Sequence, residues 1–477
     1  MKSLALLTDL YQLTMAYGYF QNKMHGYDSV FHLTFRNHPF KGNYTIACGL
    51  HSVIKYLQEF KFTTEDIDYL ATLRGNNNRL LFDDKFLDYL QSMNFSCNID
   101  AVPEGMAVFP HEPIVRVQGP LIQCQLIETA LLNIINFETL ISTKASRVCQ
   151  AAMGDPVLEF GLRRAQGIDG AITASRAAYV GGCAGTSNVL AGKLFDIPVK
   201  GTHAHSWVMC FEDELEAFEK YADALPNNCV LLVDTYNTEE GIYKAVKVGH
   251  QLQDKGYKLA GIRLDSGDLL SLSQQARNIL DSANLHDTAI IASNDLDEHS
   301  IKDLKSNGAK IDTWGVGTKL ITAYDQPALG GVYKLSAIHK PRENWRYTIK
   351  LSEQANKISD PGVLQVRRFF DENSNPVRDI LFNTHKFDTN TQQENENSVL
   401  LLKPVFVEGC CVYTNPPLKD IRKCALRNAE IFSHLTQYPV NIDLDLITLK
   451  LEIIEKISSP KLRTIKSATN NQAISNT

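Results

Sequence analysis

The sequence predicts an α/β protein with an irregular (β/α) barrel and a flanking α+β domain built from the N-terminal and C-terminal segments. Three observations predict it: short apolar runs recur through the middle of the chain, helical patterns lie between them, and polar residues follow each run. With 477 residues, the chain is long enough for about three domains.

The apolar runs are short and rich in β-branched residues, as in strands that are buried on both faces of a parallel sheet. Their starts lie between 23 and 40 residues apart, which is the spacing of successive βα units. The runs are 157–160, 197–201, 229–234, 259–264, 288–292 and 311–316. Six such units favour a barrel, and the repeat count alone leaves an open doubly wound sheet as an alternative.

Two of the intervening stretches have helical patterns. In 239–250, Ile242, Val246 and Gly249 recur at helical spacing, and acids precede lysines as the helix dipole favours. In 268–280, Asp268 is a suitable N-cap before apolar residues at the same spacing. Both stretches are therefore predicted to be helices.

The domain boundaries follow from changes in these patterns. Residues 1–135 mix helical pieces with short strands and predict an N-terminal α+β domain; 136–340 form the barrel. Residues 341–460 are predicted to pack on the flanking domain, with a hairpin of 362–370 and 376–382 around a turn. The tail 461–477 is predicted to be disordered.

Composition excludes several classes of protein. The 48 Lys and Arg against 54 Asp and Glu leave a net charge of −6, which offers no global basic surface for nucleic acid. No apolar run is long enough for a transmembrane helix or a signal peptide. The 10 cysteines have no CxxC spacing, so we expect reduced thiols and a cytoplasmic protein.

Polar residues follow the apolar runs at the ends where a parallel barrel forms its active site. Arg263 and Asp265 alternate along one strand end and suit a sugar phosphate, with a structural ion pair as the alternative. The phosphate-binding candidates come from two later loops: Ser293, Asn294, Gly315, Gly317 and Thr318. A helix cap and a tight turn are the alternatives there.

His203 and His205 are two residues apart and would share one face of a strand. Metal binding lacks an evident third ligand, so no firm metal site is predicted. An imidazole acting as acid, base or nucleophile is the favoured interpretation, because the hydroxyls of Thr202 and Ser206 lie beside it in the sequence.

Taken together, these motifs resemble those of the nicotinate phosphoribosyltransferase family, the type II phosphoribosyltransferases. They run in family order from the N-terminus to about residue 455 and are highly specific as a set. The motifs are Asp9–Met15, Glu159–Gly167, Gly201–Ser206, Arg263–Asp268, Ser293–Asp295, Gly315–Thr318, Gly330–Lys334, Lys350–Ser352 and Tyr438–Val440.

The resemblance implies an enzyme of NAD salvage. It would join nicotinate to 5-phosphoribosyl 1-diphosphate, forming nicotinate mononucleotide and diphosphate, with ATP as co-substrate and Mg²⁺ accompanying the diphosphate near Asp265. The family couples ATP hydrolysis through a phosphorylated histidine, and His205 matches it. A homodimer with a shared active site is implied as well.

The resemblance also implies substrate contacts. Thr202 and Arg263 match positions at nicotinate, Thr318 matches one at the phosphoribosyl phosphate, and Tyr11 matches a tyrosine that reaches the pyridine ring from the partner subunit. Arg163 adds cationic character that suits the carboxylate of nicotinate. Lys144 and Arg147 match the family's substrate-side basic helix more loosely. With Asp265 steadying the sugar, His205, Arg263 and Asp265 are the predicted catalytic residues.

Other functions are left open by the sequence. Nicotinamide phosphoribosyltransferase has the same fold and histidine mechanism, and a competition between the two acceptors would distinguish them. Quinolinate phosphoribosyltransferase is disfavoured, since it needs no ATP and is much shorter. A catalytically idle barrel that only binds ligands is the alternative from another class.

Overall fold

The computed structural model describes residues 3–354, 357–385 and 397–458. The predicted disordered tail, 461–477, lies outside the described residues. The strands are β1 Asp28–Phe35, β2 Thr45–Ile46, β3 Asn98–Ala101, β4 Ala107–Val108, β5 Val115–Pro120, β6 Val157–Glu159, β7 Gly185–Thr186, β8 Val230–Leu232, β9 Gly261–Leu264, β10 Ala289–Ala292, β11 Thr313–Val316, β12 Gly331–His339, β13 Arg346–Tyr347, β14 Leu364–Phe370, β15 Pro376–Asn383, β16 Ser398–Leu400, β17 Lys403–Val407, β18 Cys410–Cys411 and β19 Val440–Ile442.

The structure also contains α-helices of 4 to 24 residues. They are α1 Leu10–Gln21, α2 Leu50–Gln58, α3 Thr64–Thr72, α4 Asp84–Ser92, α5 Leu121–Leu126, α6 Glu128–Ala151, α7 Ile168–Val180, α8 Val189–Phe195, α9 His205–Met209, α10 Glu214–Ala224, α11 Thr238–Asp254, α12 Leu269–Ser282, α13 Glu298–Ser306, α14 Thr318–Ile321, α15 Leu418–Ser433 and α16 Leu444–Ser458. Across the described ranges, no helix has both the length and the apolar character needed to cross a membrane.

The chain divides into two compact units. Unit 1 comprises Met1–Asn136, Leu329–Asn415 and Ile431–Thr477, and unit 2 comprises Phe137–Ala328 and Pro416–Glu430. The first unit therefore draws on both ends of the chain, and the second holds the βα repeats.

Unit 1 is built mainly on antiparallel pairing, with β15 and β19 as a parallel pair. Its largest sheet has the order β13-β12-β1-β5-β3-β17-β18, and a four-stranded sheet has the order β16-β14-β15-β19. The predicted hairpin is confirmed, because β14 pairs antiparallel with β15 from Leu364 opposite Asn383 to Phe370 opposite Pro376. A flanking α+β unit formed from both ends of the chain is thus as predicted.

Unit 2 is built on a parallel sheet of six strands in the order β7-β6-β11-β10-β9-β8. Its strands are buried, and Trp314 of β11 is fully enclosed while its indole N–H donates to Asp155 over 3.0 Å. The α/β class with βα units is confirmed. The two predicted helices are α11 and α12, and Asp268 caps α12 through a hydrogen bond from the Leu270 N–H.

One predicted strand is wrong. The run 197–201 forms only a single parallel bridge, between Val199 and Thr186, and the strand beside β6 is the two-residue β7. Pro198 accounts for this difference, because proline has no N–H to donate to a ladder.

The same segment makes the sheet an irregular ring. On one side, Thr186 N–H donates to Pro198 O and Lys200 N–H donates to Thr186 O, both over 3.0 Å. On the other side, the Leu232 N–H of β8 donates to Nε2 of His203 over 3.1 Å. The segment 198–203, which we call the closing segment, therefore lies between edge strands β7 and β8. A side chain completes the ring at β8, in place of backbone pairing.

Candidate functional site

Arg263 is the centre of the candidate site in unit 2. It lies on β9, in register with Leu232 of β8 and Ile291 of β10. Its guanidinium donates to three side chains: Ser293 Oγ at 2.8 Å, Thr202 Oγ1 at 3.0 Å and Asp265 Oδ1 at 2.8 Å. Four of the predicted site residues therefore lie in one hydrogen-bonded group.

Asp265 is held as a carboxylate by this group. Burial alone would raise its pKa, but the hydrogen bond from Ser293 and the positive charge of Arg263 outweigh burial and hold the pKa below its ordinary value. The backbone N–H of Asp265 donates to Asp234 Oδ2 over 2.9 Å. The side chain thus has a fixed position and a negative charge at neutral pH.

His205 stands beside Asp265. It is the first residue of α9, its Nδ1 lies 3.1 Å from Thr235 Oγ1, and its Nε2 lies 3.8 Å from Asp265 Oδ2. The side chain is 39% exposed, so a reactant can reach the ring from solvent. A nucleophilic imidazole suits this setting, since one nitrogen is oriented and the other faces an anion.

His203 is a structural histidine. The Leu232 N–H donates to its Nε2, and its Nδ1 lies 3.2 Å from Ala204 O. Burial lowers its pKa, and the nearby Arg263 and His205 lower it further. The paired histidines of the sequence therefore do not form a metal site in this arrangement, because Nε2 of His203 is already engaged as an acceptor.

A cavity of about 250 Å³ opens next to Arg263. Its aromatic wall is Phe160, whose ring centroid lies 5.8 Å from the Arg263 guanidinium. Arg163, from the 3₁₀ turn Leu162–Arg164, supplies a second cation. The lining residues are Phe160, Leu162, Arg163, Ser187, Gly201, Thr202, His203, Ala204 and Arg263. A flat aromatic anion suits such a cavity.

The predicted phosphate-binding residues surround the same strand ends. Gly315 leaves room for the cavity wall, because a Cβ there would lie 2.7 Å from a ring carbon of Phe160. Gly317 precedes α14, which Thr318 begins. Asn294, next to Ser293, has a φ of 104°, a rare conformation for a residue with a side chain. Strain of this kind clusters at functional sites.

Lys144 and Arg147 lie elsewhere in unit 2, within an ion-pair cluster on α6. Lys144 is fully buried, and its Nζ lies 2.7 Å from Glu298 and 2.8 Å from Asp325. Arg147 lies 3.6 Å from Glu298. Carboxylates thus already neutralise the Lys144 charge, and neither residue lines the cavity. Their role in substrate binding stays a prediction.

Tyr11 belongs to unit 1, on α1. Its side chain is about half exposed, and burial together with the carboxylates of Glu128 and Asp9 raises its pKa. Its predicted contact with the pyridine ring stays a prediction.

Three residues of the site were not predicted from the sequence. Phe160 forms the cavity wall, Thr235 orients His205, and Asp234 holds the backbone of Asp265. Asp234 ends the predicted strand 229–234 and Thr235 follows it, so the strand-end rule that selected Asp265 applies to them as well.

Comparisons with known proteins identify similar sequences and a similar fold. Residues 6–136 match the sequence model of the nicotinate phosphoribosyltransferase N-terminal domain, and residues 156–370 match that of the nicotinate phosphoribosyltransferase family. The chain is 42% identical to the nicotinate phosphoribosyltransferase of Bacillus subtilis, with 96% of each chain covered.

Two further relatives agree. The chain is 41% identical to the nicotinate phosphoribosyltransferase of Dictyostelium discoideum, over 79% of this chain and 70% of the relative. The crystal structure of human nicotinic acid phosphoribosyltransferase superposes with a TM-score of 0.80 at 29% identity, covering 93% of this chain and 99% of the other.

Proposed function

The chain belongs to the nicotinate phosphoribosyltransferase family, and we propose from this premise how its own residues transfer a phosphoribosyl group to nicotinate. The reaction consumes 5-phosphoribosyl 1-diphosphate and yields nicotinate mononucleotide and diphosphate. One observation carries the proposal: the Arg263 guanidinium lies 5.8 Å from the Phe160 ring centroid in the aromatic cavity and donates to Asp265 at 2.8 Å and to Thr202 at 3.0 Å.

The cavity binds nicotinate. Phe160 packs on the pyridine ring, and Arg263 and Arg163 attract the carboxylate. Thr202 orients that group through its hydroxyl. The neutral amide of nicotinamide would not gain from two cations in the same way, so the acid is the favoured acceptor and nicotinamide is the alternative.

The phosphoribosyl donor lies along the neighbouring strand ends. Asp265 accepts from a ribose hydroxyl, and the 5-phosphate occupies the loops of Ser293, Asn294, Gly315, Gly317 and Thr318, where backbone N–H groups suit an anion. The ring nitrogen of nicotinate has a free lone pair, so its attack on C1′ needs no general base. The difficult step is the departure of diphosphate, which leaves positive charge on the sugar, and the fixed negative charge of Asp265 stabilises that charge.

Mg²⁺ is the expected companion of the diphosphate. Asp265 and Asp234 supply carboxylate oxygens at one edge, and Oδ1 of Asp234 is buried without a hydrogen-bond partner among the described residues. Carboxylate oxygens are the ligands that Mg²⁺ takes in proteins, so these two residues fit it. When bound, the ion neutralises charge on the leaving group.

ATP acts through His205. The γ-phosphoryl group passes to a ring nitrogen with release of ADP, and water later removes it as phosphate. Phosphorylation adds about two negative charges beside Asp265 and Thr235, which reorders the nearby loops and tightens substrate binding. The exposure of the ring on α9 gives ATP access to it.

A homodimer completes the site in this proposal. Tyr11 lies on the exposed side of α1 and reaches the pyridine ring of the partner's site. Lys144 and Arg147 would then act on the donor from α6 once substrate phosphates compete for them. The cytoplasm stays the predicted location.

The decisive experiment incubates the protein with nicotinic acid, 5-phosphoribosyl 1-diphosphate and Mg-ATP, and follows mononucleotide and ADP together. We expect both products to form in parallel. A competition with nicotinamide separates the two acceptors, and absence of any mononucleotide would leave the chain as a binding protein only.

A further inference from the structure

Glu159 is a buried acid whose contacts among the described residues include no cation. It ends strand β6 and is fully enclosed by the fold. Within the described part of the chain it faces one backbone N–H and two hydroxyls, and no Lys or Arg pairs with it. Burial of a charge is costly unless hydrogen bonds replace the lost water. A buried acid at this position therefore indicates a role that an apolar side chain could not fill.

The two oxygens of Glu159 hold different parts of unit 2. Oε2 accepts from Thr186 of β7 over 2.6 Å and from Ser175 of α7 over 2.9 Å. Oε1 accepts from the backbone N–H of Gly161. The first set ties β6 to its neighbours, while the second contact fixes the peptide just beyond Phe160.

The hydrogen bond between the Gly161 N–H and Glu159 Oε1 lies directly beside the wall of the cavity. Phe160 stands between Glu159 and Gly161, and the turn carrying Arg163 follows at once. A Cβ at Gly161 would collide with Ile321, so the backbone passes through a space that admits only glycine. The Glu159 carboxylate therefore fixes the peptide between Phe160 and Arg163, in addition to the hydrogen bond from the Phe160 N–H to Val316 O.

Glu159 cannot act on substrate directly. Both oxygens are occupied, and the residue has no exposed surface, which excludes a general base, a nucleophile or a metal ligand at the cavity. Any effect on the reaction must pass through the residues that it holds.

We propose that Glu159 is a positioning residue for the acceptor: its carboxylate fixes the Gly161 peptide and thereby aims Phe160 and Arg163 at nicotinate. This inference rests on the proposed function, since it assigns nicotinate to the cavity. Glu159 thus lies beneath the pocket and acts chiefly on the acceptor, through the residues that line it.

The test compares KM for the two substrates. Glu159→Leu removes the acceptor for the Gly161 N–H, and we expect KM for nicotinate to rise about tenfold or more, because small misplacements of binding groups cost that much. KM for 5-phosphoribosyl 1-diphosphate should stay within about twofold, because the hydrogen-bond partners of the Glu159 carboxylate, namely Gly161, Ser175 and Thr186, include none of the residues proposed to hold that substrate. Equal increases in both KM values, or none, would overturn the proposal.

Two variants control for a merely structural role. Glu159→Gln keeps an oxygen for Gly161 and can donate its amide to Ser175 and Thr186, so KM for nicotinate should stay within about threefold of wild type. Ser175→Ala removes a partner of Oε2 and leaves the Gly161 contact intact. It should lower the melting temperature without changing either KM, and a Ser175→Ala variant with the same rise in KM for nicotinate would contradict the assignment.

If Glu159→Leu does not fold, Glu159→Asp carries the test, because its shorter side chain withdraws from Gly161. An increase in KM confined to nicotinate supports the proposal, and unchanged kinetics refute it. A different result would refute the proposed function, namely that the wild-type protein forms no mononucleotide. If the wild-type protein is active and the Glu159 variants have the same KM values as wild type, only the positioning role is refuted.

Discussion

Arg263 and Thr202 are 61 residues apart in the sequence, and Nη1 of Arg263 donates to Thr202 Oγ1 over 3.0 Å. This bond joins β9 to the closing segment, the stretch that lies between the edge strands of the sheet. One side chain therefore connects the cavity, the carboxylate of Asp265 and the segment that leads into His205.

Replacing Arg263 tests this connection. Arg263→Lys keeps the charge but loses the forked geometry that reaches three partners. Each charge-assisted hydrogen bond is worth about 1.5–3 kcal/mol, so we expect KM for nicotinate to rise by about 10- to 100-fold. Steady-state kinetics check this. Arg277→Lys, which alters an arginine outside the cavity, is the control and should leave KM unchanged.

Replacing His205 tests the coupling to ATP. In His205→Ala the phosphoryl acceptor is absent, so stimulation by ATP should disappear while some ATP-independent turnover remains. The measurements are the ratio of mononucleotide to ADP and the incorporation of acid-labile phosphate from labelled ATP. His250→Ala removes an exposed histidine of α11 and should behave as wild type. Full ATP coupling in the His205 variant would refute the assignment.

Gly315 tests the packing of the cavity wall. In Gly315→Ala the new Cβ would press on Phe160, which must shift, and overpacking of this kind costs about 1–3 kcal/mol. We expect a lower melting temperature together with a higher KM for nicotinate. Gly18→Ala is a suitable control, because nothing lies within 4 Å of a Cβ there. Unchanged nicotinate binding in the Gly315 variant would show that Phe160 does not contact the acceptor.

His203 should make stability depend on pH. Because burial lowers its pKa, the folded protein takes up this proton at a lower pH than the unfolded chain. The contribution is therefore complete above about pH 6.5, the unfolded value, and is lost as pH falls from there through the folded value. His203→Gln keeps an acceptor for the Leu232 N–H without titrating.

Denaturant unfolding between about pH 5 and about pH 7.5, on both sides of the ordinary histidine pKa of about 6.5, measures this effect. The His203→Gln variant should lose less stability on acidification than wild type, and His250→Gln should lose as much. Identical pH profiles for all three proteins would exclude a neutral His203 as part of the closure.

The sequence predicts those strands that consist of a continuous apolar run. The runs that became β8 to β11 are apolar and β-branched, and burial on both faces demands such residues. The two-residue β7 has no such pattern, and Pro198 interrupts the run 197–201, which the sequence predicts to be a strand. Sequence periodicity cannot detect an element that consists of Gly185 and Thr186.

The candidate site was predictable where residues stand at strand ends. Arg263, Asp265 and Ser293 meet because parallel strands end on one side, and Thr202 joins them from the closing segment. The sequence does not predict the role of Phe160, because that role depends on the space left by Gly315, which is more than a hundred residues away in the sequence. The pairing of Lys144 with Asp325 across 181 residues is equally invisible to local patterns.

The closing segment has a consequence for how this enzyme can diverge. The stretch that carries Thr202 also supplies the last link of the ring through His203, so a change there that reshapes substrate recognition also weakens the architecture. In the short turn that contains Arg163 the side chains are exposed, so they can change without disturbing the sheet. Substitutions that change the preferred acceptor should therefore be tolerated more readily in that turn than in the closing segment.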